Sequence, residues 1–299
     1  MPENKSNQLI PNGPFTAADL PIDDQGRIYH LQLTPDQIAS DILLVGDPGR
    51  AEMIGASYLT DLTCEHEHRG LVTVTGTAKV SGEQATVISP VEVTAATSGM
   101  GTPSLEIILQ ELAALNELDF ATRTRKAEFR RLHLLRQGTS GGLQASTPLG
   151  TPVITSYSVG MDNTGLYYEA PYPDEHCARL EKELQHLLKE KMSPESRFYG
   201  RVHPYVARAE PEMVTALAQA AESLGYTAKV GITASCSGFF APQGRGISRV
   251  APSLPDIDQV LAAYDPKLDS QRIENMEMEA SFLLHFLGGL GYWAGAICP

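Results

Sequence analysis

The segment Asn275-Met276-Glu277-Met278-Glu279-Ala280 interleaves two carboxylates with two thioethers, just ahead of the apolar residues Phe282, Leu283, Leu284, Phe286 and Leu287. Upstream, Phe239-Phe240-Ala241-Pro242-Gln243-Gly244-Arg245 sets an amide and a guanidinium two positions apart beside an aromatic pair. Together they offer what a nucleoside requires: apolar surface for a sugar, a carboxylate for vicinal hydroxyls, and planar donors and acceptors for a base. Neither half alone identifies a ligand. A carboxylate at a helix N-terminus is also a plain dipole partner, worth about 0.3–1 kcal/mol. That explains one of Glu277 and Glu279 more easily than both.

Three further segments have the chemistry of an anion site. Gly46-Asp47-Pro48-Gly49-Arg50 follows the apolar run Leu43-Leu44-Val45, and its glycines let backbone N–H groups approach an anion while Arg50 adds a two-pronged donor. Arg136-Gln137-Gly138-Thr139-Ser140-Gly141-Gly142 follows Leu132–Leu135, and an arginine ending a buried strand needs a partner. Thr97-Ser98-Gly99-Met100-Gly101-Thr102 leads toward a helix start. Any one of these could be an ordinary tight turn. Three at strand ends point to one shared site, because ligands of open α/β sheets gather at the carboxyl ends of strands. His68-Arg69, after Glu65-His66-Glu67, reads as a solvated charged strand start, and His30 in Tyr29-His30-Leu31 as a structural histidine. Arg123, Arg125, Lys126, Arg130 and Arg131 read as an exposed connection.

These residues must be held by an alternation of strands and helices. Strands are expected at Asp41–Gly46, Leu71–Val80, Ala85–Val91, Arg131–Gly138, Pro152–Val159, Ala228–Ser235 and Tyr292–Cys298. Helices are expected from a Thr102 cap with Pro103 at the first position, from Asp174 to Lys191, from Pro211 to Gly225, and from Asn275 to Leu290. The alternation predicts an α/β fold, a three-layer α/β/α sandwich around a central mixed sheet, as a single domain over residues 27–299. Residues 1–26 read as a poorly ordered arm.

With 299 residues, 42% hydrophobic and 20% charged, the chain can bury an ample core. Its net charge of −13 argues against nucleic acid and anionic membranes as partners. Cys64, Cys177, Cys236 and Cys298 show no metal spacing, so no metal is expected and a reduced, cytoplasmic setting is the simplest reading. Residues 1–26 lack an apolar signal segment, and no stretch reaches the roughly 18 apolar residues of a membrane span.

From about Ile28 to Pro299 the chain resembles the uridine phosphorylase branch of the hexameric nucleoside phosphorylases. The ordered set of Gly-Asp-Pro-x-Arg, Arg-x-Gly-Thr-x-Gly and Glu-Met-Glu carries the likeness. The resemblance implies that Gly46, Arg50, Arg136 and Thr139 hold phosphate, joined by Arg69 of a neighbouring subunit. His30 is implied to reach across the same interface to the ribose 5′-hydroxyl. Met278 is implied to pack on the sugar and Glu279 to accept from its 2′- and 3′-hydroxyls, with Glu277 beside it in the nucleoside site. Phe239, Gln243 and Arg245 match a pyrimidine pocket, Gln243 reading the O2/N3 edge of uracil and Arg245 donating to O4. Homodimer units assembled into a hexamer are implied. No cofactor is expected, inorganic phosphate being a co-substrate.

The chain departs from the family pattern in four places. Ala241-Pro242 stands where Pro-Gly is usual, and Gly70 stands where a glutamate linked to a monovalent cation is usual. Residues 171–200 read as an inserted helix. A further strand and terminal helix bearing an Asn-Arg pair, or in purine-specific relatives an aspartate general acid, is implied beyond Ala296-Ile297-Cys298-Pro299. The expected reaction is uridine plus phosphate to uracil plus ribose 1-phosphate. The alternatives are a purine nucleoside phosphorylase, a hydrolytic nucleosidase, and a non-catalytic nucleoside-binding member of the same fold.

Overall fold

The computed structural model describes residues 11–79 and 90–299. Its strands are β1 (Asp41–Val45), β2 (Leu59–His68), β3 (Leu71–Ala78), β4 (Glu92–Thr97), β5 (Leu118–Asp119), β6 (Thr124–Arg125), β7 (His133–Gln137), β8 (Gly141–Gly142), β9 (Val153–Met161), β10 (Tyr205–Arg208), β11 (Lys229–Cys236), β12 (Ile273–Glu277) and β13 (Trp293–Cys298). Its helices are α1 (Pro48–Tyr58), α2 (Thr102–Glu117), α3 (Glu175–Lys191), α4 (Pro211–Ser223), α5 (Ile257–Ala263) and α6 (Ala280–Leu290).

One mixed sheet runs β2-β3-β4-β1-β7-β13-β9-β11-β12-β8, with β10 added on β9. Strands β4, β1, β7 and β13 are mutually parallel, as are β9, β11 and β12; β13 meets β9 antiparallel. Only Gly138-Thr139-Ser140 separates β7 from β8, yet β8 pairs with β12 at the far end of the path. The second half of the sheet therefore curls back beside the end of β7. That curl brings the ends of β7 and β12 together, although they are not neighbours in the sheet.

Side-chain alternation along β1 divides the core into layers. Ile42 and Leu44 face a cluster with α2 and α6 (Leu105, Leu109, Leu112, Phe282, Leu283, Phe286). Leu43 and Val45 face the other way, onto Ala51 and Ile54 of α1. A further cluster packs Leu180, Leu184 and Leu188 of α3, and Ile257 and Leu261 of α5, against Val159, Ile232, Ala234 and Met276 of the sheet. A central mixed sheet flanked by helices is the α/β arrangement the sequence predicts. None of the helices among the described residues is long and apolar enough to cross a membrane.

The differences from expectation have physical causes. Residues 11–26 are docked rather than loose. Arg123 Nε donates to Phe15 O (2.9 Å), Nη2 donates to Thr16 O (2.9 Å), and Leu20 is buried. The basic stretch is spent on the protein itself: Arg125 pairs with Glu117, Lys126 donates to Asn116 O, and Arg130 donates to Ile38 O. The expected helix from Asn275 begins only at Ala280, because Ile273–Glu277 is pulled into the sheet beside β11. Gly101, not Thr102, caps α2. Most of the strand expected at Ala85–Val91 lies outside the described residues; Glu92–Thr97 is the strand beside it. His68 ends β2, and Arg69-Gly70, both at positive φ (56° and 76°), turn the chain into β3. The region expected as an inserted helix forms α3, whose N-terminus Asp174 caps by accepting from Cys177 N (2.8 Å).

Candidate functional site

Register alone places the three small-residue loops side by side. Val45 of β1 is paired with Thr97 of β4 and with Gln137 of β7, so all three strands end at one edge. Ser98 N donates to Val45 O (2.8 Å), pinning the loop after β4 to the end of β1. Gly46 leads directly into α1, where Asp47 caps the helix by accepting from Gly49 N (3.1 Å) and Pro48 takes the first turn. Arg50 therefore lies in the first turn of α1. Its Nη1 donates to Gln137 O (3.2 Å), which holds it against the end of β7.

Arg136, next along β7, is buried at 4% exposure between two carboxylates. Its Nη2 donates to Glu279 Oε2 and its Nε donates to Glu277 Oε2 (3.4 Å). Nη1 is buried without a partner among the described residues. An unpaired guanidinium donor is costly inside a protein, so the arrangement leaves a donor for an incoming anion. Burial lowers the Arg136 pKa, but Glu279 and Glu277 outweigh it and carry it above the ordinary arginine value.

Glu277 ends β12 and Glu279 precedes α6. Glu279 Oε1 accepts from Gly101 N (2.5 Å), at the start of α2. Burial pushes the Glu279 pKa up; Arg136 pulls it back and Glu277 raises it again, leaving it at about 6. The starts of α1, α2 and α6 thus converge here, and each contributes the positive end of a helix dipole.

The aromatic segment supplies a further part of the wall. Ala241–Gln243 forms a short 3-10 turn ended by Gly244 at φ 79°, and Gln243 is buried at 6% exposure. Arg245 lies over the Phe239 ring (4.1 Å), and its Nη1 donates to Phe239 O and to Gln243 Oε1, both at 2.6 Å. Proline in place of the usual glycine is accommodated inside this turn.

Gly46, Arg50, Arg136, Thr139, Phe239, Gln243, Arg245, Glu277, Met278 and Glu279 line one cavity of about 470 Å³. That size suits a small organic ligand. The guanidinium groups of Arg50 and Arg136, the small-residue loops, and the aromatic, amide and Arg245 groups all border this one cavity. A larger cavity of about 680 Å³ lies between residues 11–21, α2 and α6, and contains none of these groups. Its Arg125 is taken by Glu117, so volume does not decide where chemistry occurs.

His30 and Arg69 do not reach the 470 Å³ cavity within the chain. His30 Nδ1 bonds Glu111 Oε1 (2.7 Å), and the Arg69 guanidinium lies over Tyr29 (5.4 Å). Glu277 lines the cavity, but both of its oxygens are taken by protein donors. The sequence reading missed Asp47, Gln137 and Ser235. An Asp-Pro pair is a recognisable helix-start signal that could have found Asp47; Gln137 acts through its backbone carbonyl, and Ser235 carries no local signal.

Comparison with known proteins agrees with this geometry. The phosphorylase superfamily profile matches residues 41–298. A uridine phosphorylase from Thermococcus kodakarensis is 29% identical over 289 residues, covering 95% of this chain and 80% of that protein. One from Escherichia coli is 28% identical over 273 residues, covering 90% and 83% respectively. A purine nucleoside phosphorylase from Listeria welshimeri is 33% identical, but over 42% of this chain and 44% of its own length. A Trypanosoma brucei nucleoside phosphorylase, described as showing uridine phosphorylase activity, superposes with a TM-score of 0.81 at 28% identity, covering 94% of this chain and 89% of that one.

Proposed function

We infer the reaction from one premise: the chain belongs to the phosphorylase superfamily. It is a pyrimidine nucleoside phosphorylase that converts uridine and phosphate to uracil and ribose 1-phosphate. The observation that carries this reading is a buried arginine with an unspent donor, beside Arg50, sharing one cavity with the Gln243–Arg245 pair. A hydrolytic nucleosidase has no need for that anion end. The relatives that span most of the chain are uridine phosphorylases, which supports the pyrimidine assignment.

Phosphate binds at Arg50, Arg136, Gly46 and Thr139. The sugar packs on Met278, with Glu279 accepting from its hydroxyls. Phe239 faces the base, Gln243 reads its O2/N3 edge, and Arg245 donates to O4. The C1′–N1 bond breaks with its electron pair passing to the pyrimidine ring, where Gln243 and Arg245 stabilise the charge. A phosphate oxygen then forms the bond to C1′, and solvent supplies the proton that neutralises uracil. The anion lies next to the sugar as positive charge builds there, and positioned donors of this kind are each worth about 10²–10³ in turnover. Arg69 and His30 complete the site from a second copy, so the working unit is at least a dimer and, by family likeness, a hexamer built of homodimer units. Glu277 lines the same cavity, but its oxygens are occupied by protein donors and no ligand contact is assigned to it.

The test is uracil release from uridine with and without phosphate, with inosine alongside. Phosphate-dependent uracil release and little hypoxanthine are expected. Release without phosphate would favour a nucleosidase, efficient inosine cleavage a purine enzyme, and binding without turnover a non-catalytic member.

A further inference from the structure

We infer that Ser235 and Glu277 are positioning residues for the anion subsite, acting through Arg136 without touching substrate. Glu277 has no capacity to spare for a ligand. Its Oε1 accepts from Ser235 Oγ and from Ala280 N (3.0 Å), and its Oε2 accepts from Glu279 N (2.9 Å), Ala280 N (3.0 Å) and Arg136 Nε (3.4 Å). The side chain is 1% exposed. A carboxylate with donors on both oxygens is fixed in orientation.

That fixed carboxylate aims the arginine. A guanidinium is planar, so a bond at Nε to Glu277 and a bond at Nη2 to Glu279 define where Nη1 lies. Of these two anchors, Glu279 also serves the sugar in the proposed reaction, whereas Glu277 serves only the protein. Ser235 holds Glu277 in turn. It is the penultimate residue of β11, is fully buried, accepts from Ser281 N (2.9 Å), and lies within 3.1 Å of Ser158 Oγ. Its hydroxyl proton is thereby directed at Glu277. The chain Ser235–Glu277–Arg136 thus runs from the sheet interior to the wall of the cavity.

The inference rests on the reading of the cavity as a phosphate site, and the experiment separates the two. Uridine phosphorolysis is compared for the wild type, Ser235→Ala and Ser235→Thr. Losing one hydrogen bond to a charged group is expected to raise the KM for phosphate about tenfold in Ser235→Ala, with the KM for uridine changed less. Ser235→Thr, which keeps the hydroxyl, is expected to restore it. A lower kcat with both KM values unchanged, or equal effects of Ala and Thr, overturns the inference. Sulfate binding to the same proteins is measured by calorimetry. If the wild type binds sulfate and Ser235→Ala binds it about tenfold more weakly, the positioning role stands even where uridine is not a substrate. If Ser235→Ala does not fold, Ser235→Cys, which keeps the volume and weakens the donor, carries the same comparison.

Discussion

Replacing Arg136 with Met keeps an aliphatic stem in place and removes the cation that lies between Glu277 and Glu279. The side chains of those carboxylates are 1% and 5% exposed. Breaking a buried pair by removing one partner costs about 3–5 kcal/mol. The lower end applies here, because Glu279 already has a pKa of about 6 with Arg136 present and escapes the penalty by taking up a proton. A loss of about 3 kcal/mol corresponds to a fall in Tm of roughly 6–12 °C for a large domain. Thermal unfolding of wild type and Arg136→Met, each with and without phosphate, measures this. The deficit is expected to be larger at pH 7 than at pH 5, where protonation relieves the repulsion. Phosphate at a hundred times its Kd is expected to stabilise the wild type by about 2.7 kcal/mol and the variant not at all. A variant that unfolds at the wild-type temperature at both pH values, or that keeps its phosphate stabilisation, refutes the role assigned to Arg136.

Three other perturbations probe separate parts of the account. Glu279 must be ionised to accept from sugar hydroxyls, so uridine binding without phosphate should weaken below pH 6, by about tenfold at pH 5; a flat profile in the wild type contradicts this. The same raised pKa means the native state takes up this proton more readily than the unfolded chain. Its contribution to stability is therefore full below the ordinary value of 4.5 and is lost as pH rises through about 6, a swing of about 2 kcal/mol visible in unfolding curves. Arg245→Ala removes the donor proposed for the leaving base and should lower uridine turnover about 10²–10³-fold; near-normal turnover excludes that role. Asp174→Ala removes the cap of α3 and should cost about 1 kcal/mol in unfolding while leaving uracil release unchanged; a change in kinetics would tie α3 to the site.

What could be read from the residues was what depends on short-range chemistry. Glycine, serine and threonine clusters after apolar runs marked the loops that meet where β1, β4 and β7 end, because such residues let backbone donors approach a ligand. The α3 boundaries followed from Asp174 and the leucine stripe. β12 was hidden because Glu274, Asn275 and Glu277 look unlike a buried strand. They are tolerated because Lys229 Nζ and Thr147 Oγ1 meet Glu274, and Ser235 and Arg136 meet Glu277, partners remote along the chain. The same remoteness concealed how Arg136 is compensated. That Glu277 is used up inside the protein while Glu279 keeps a cavity-facing role depends on the turn between β12 and α6. Residue type could not separate two glutamates two positions apart.

The most direct test is a crystal structure with inorganic phosphate and uracil bound together. Phosphate is expected between Arg50 and the Nη1 of Arg136, with uracil edge-on to Gln243 and Arg245 and room between them for a ribose beside Met278 and Glu279. Phosphate bound away from both arginines, or uracil outside the Gln243–Arg245 end of the cavity, would contradict the account.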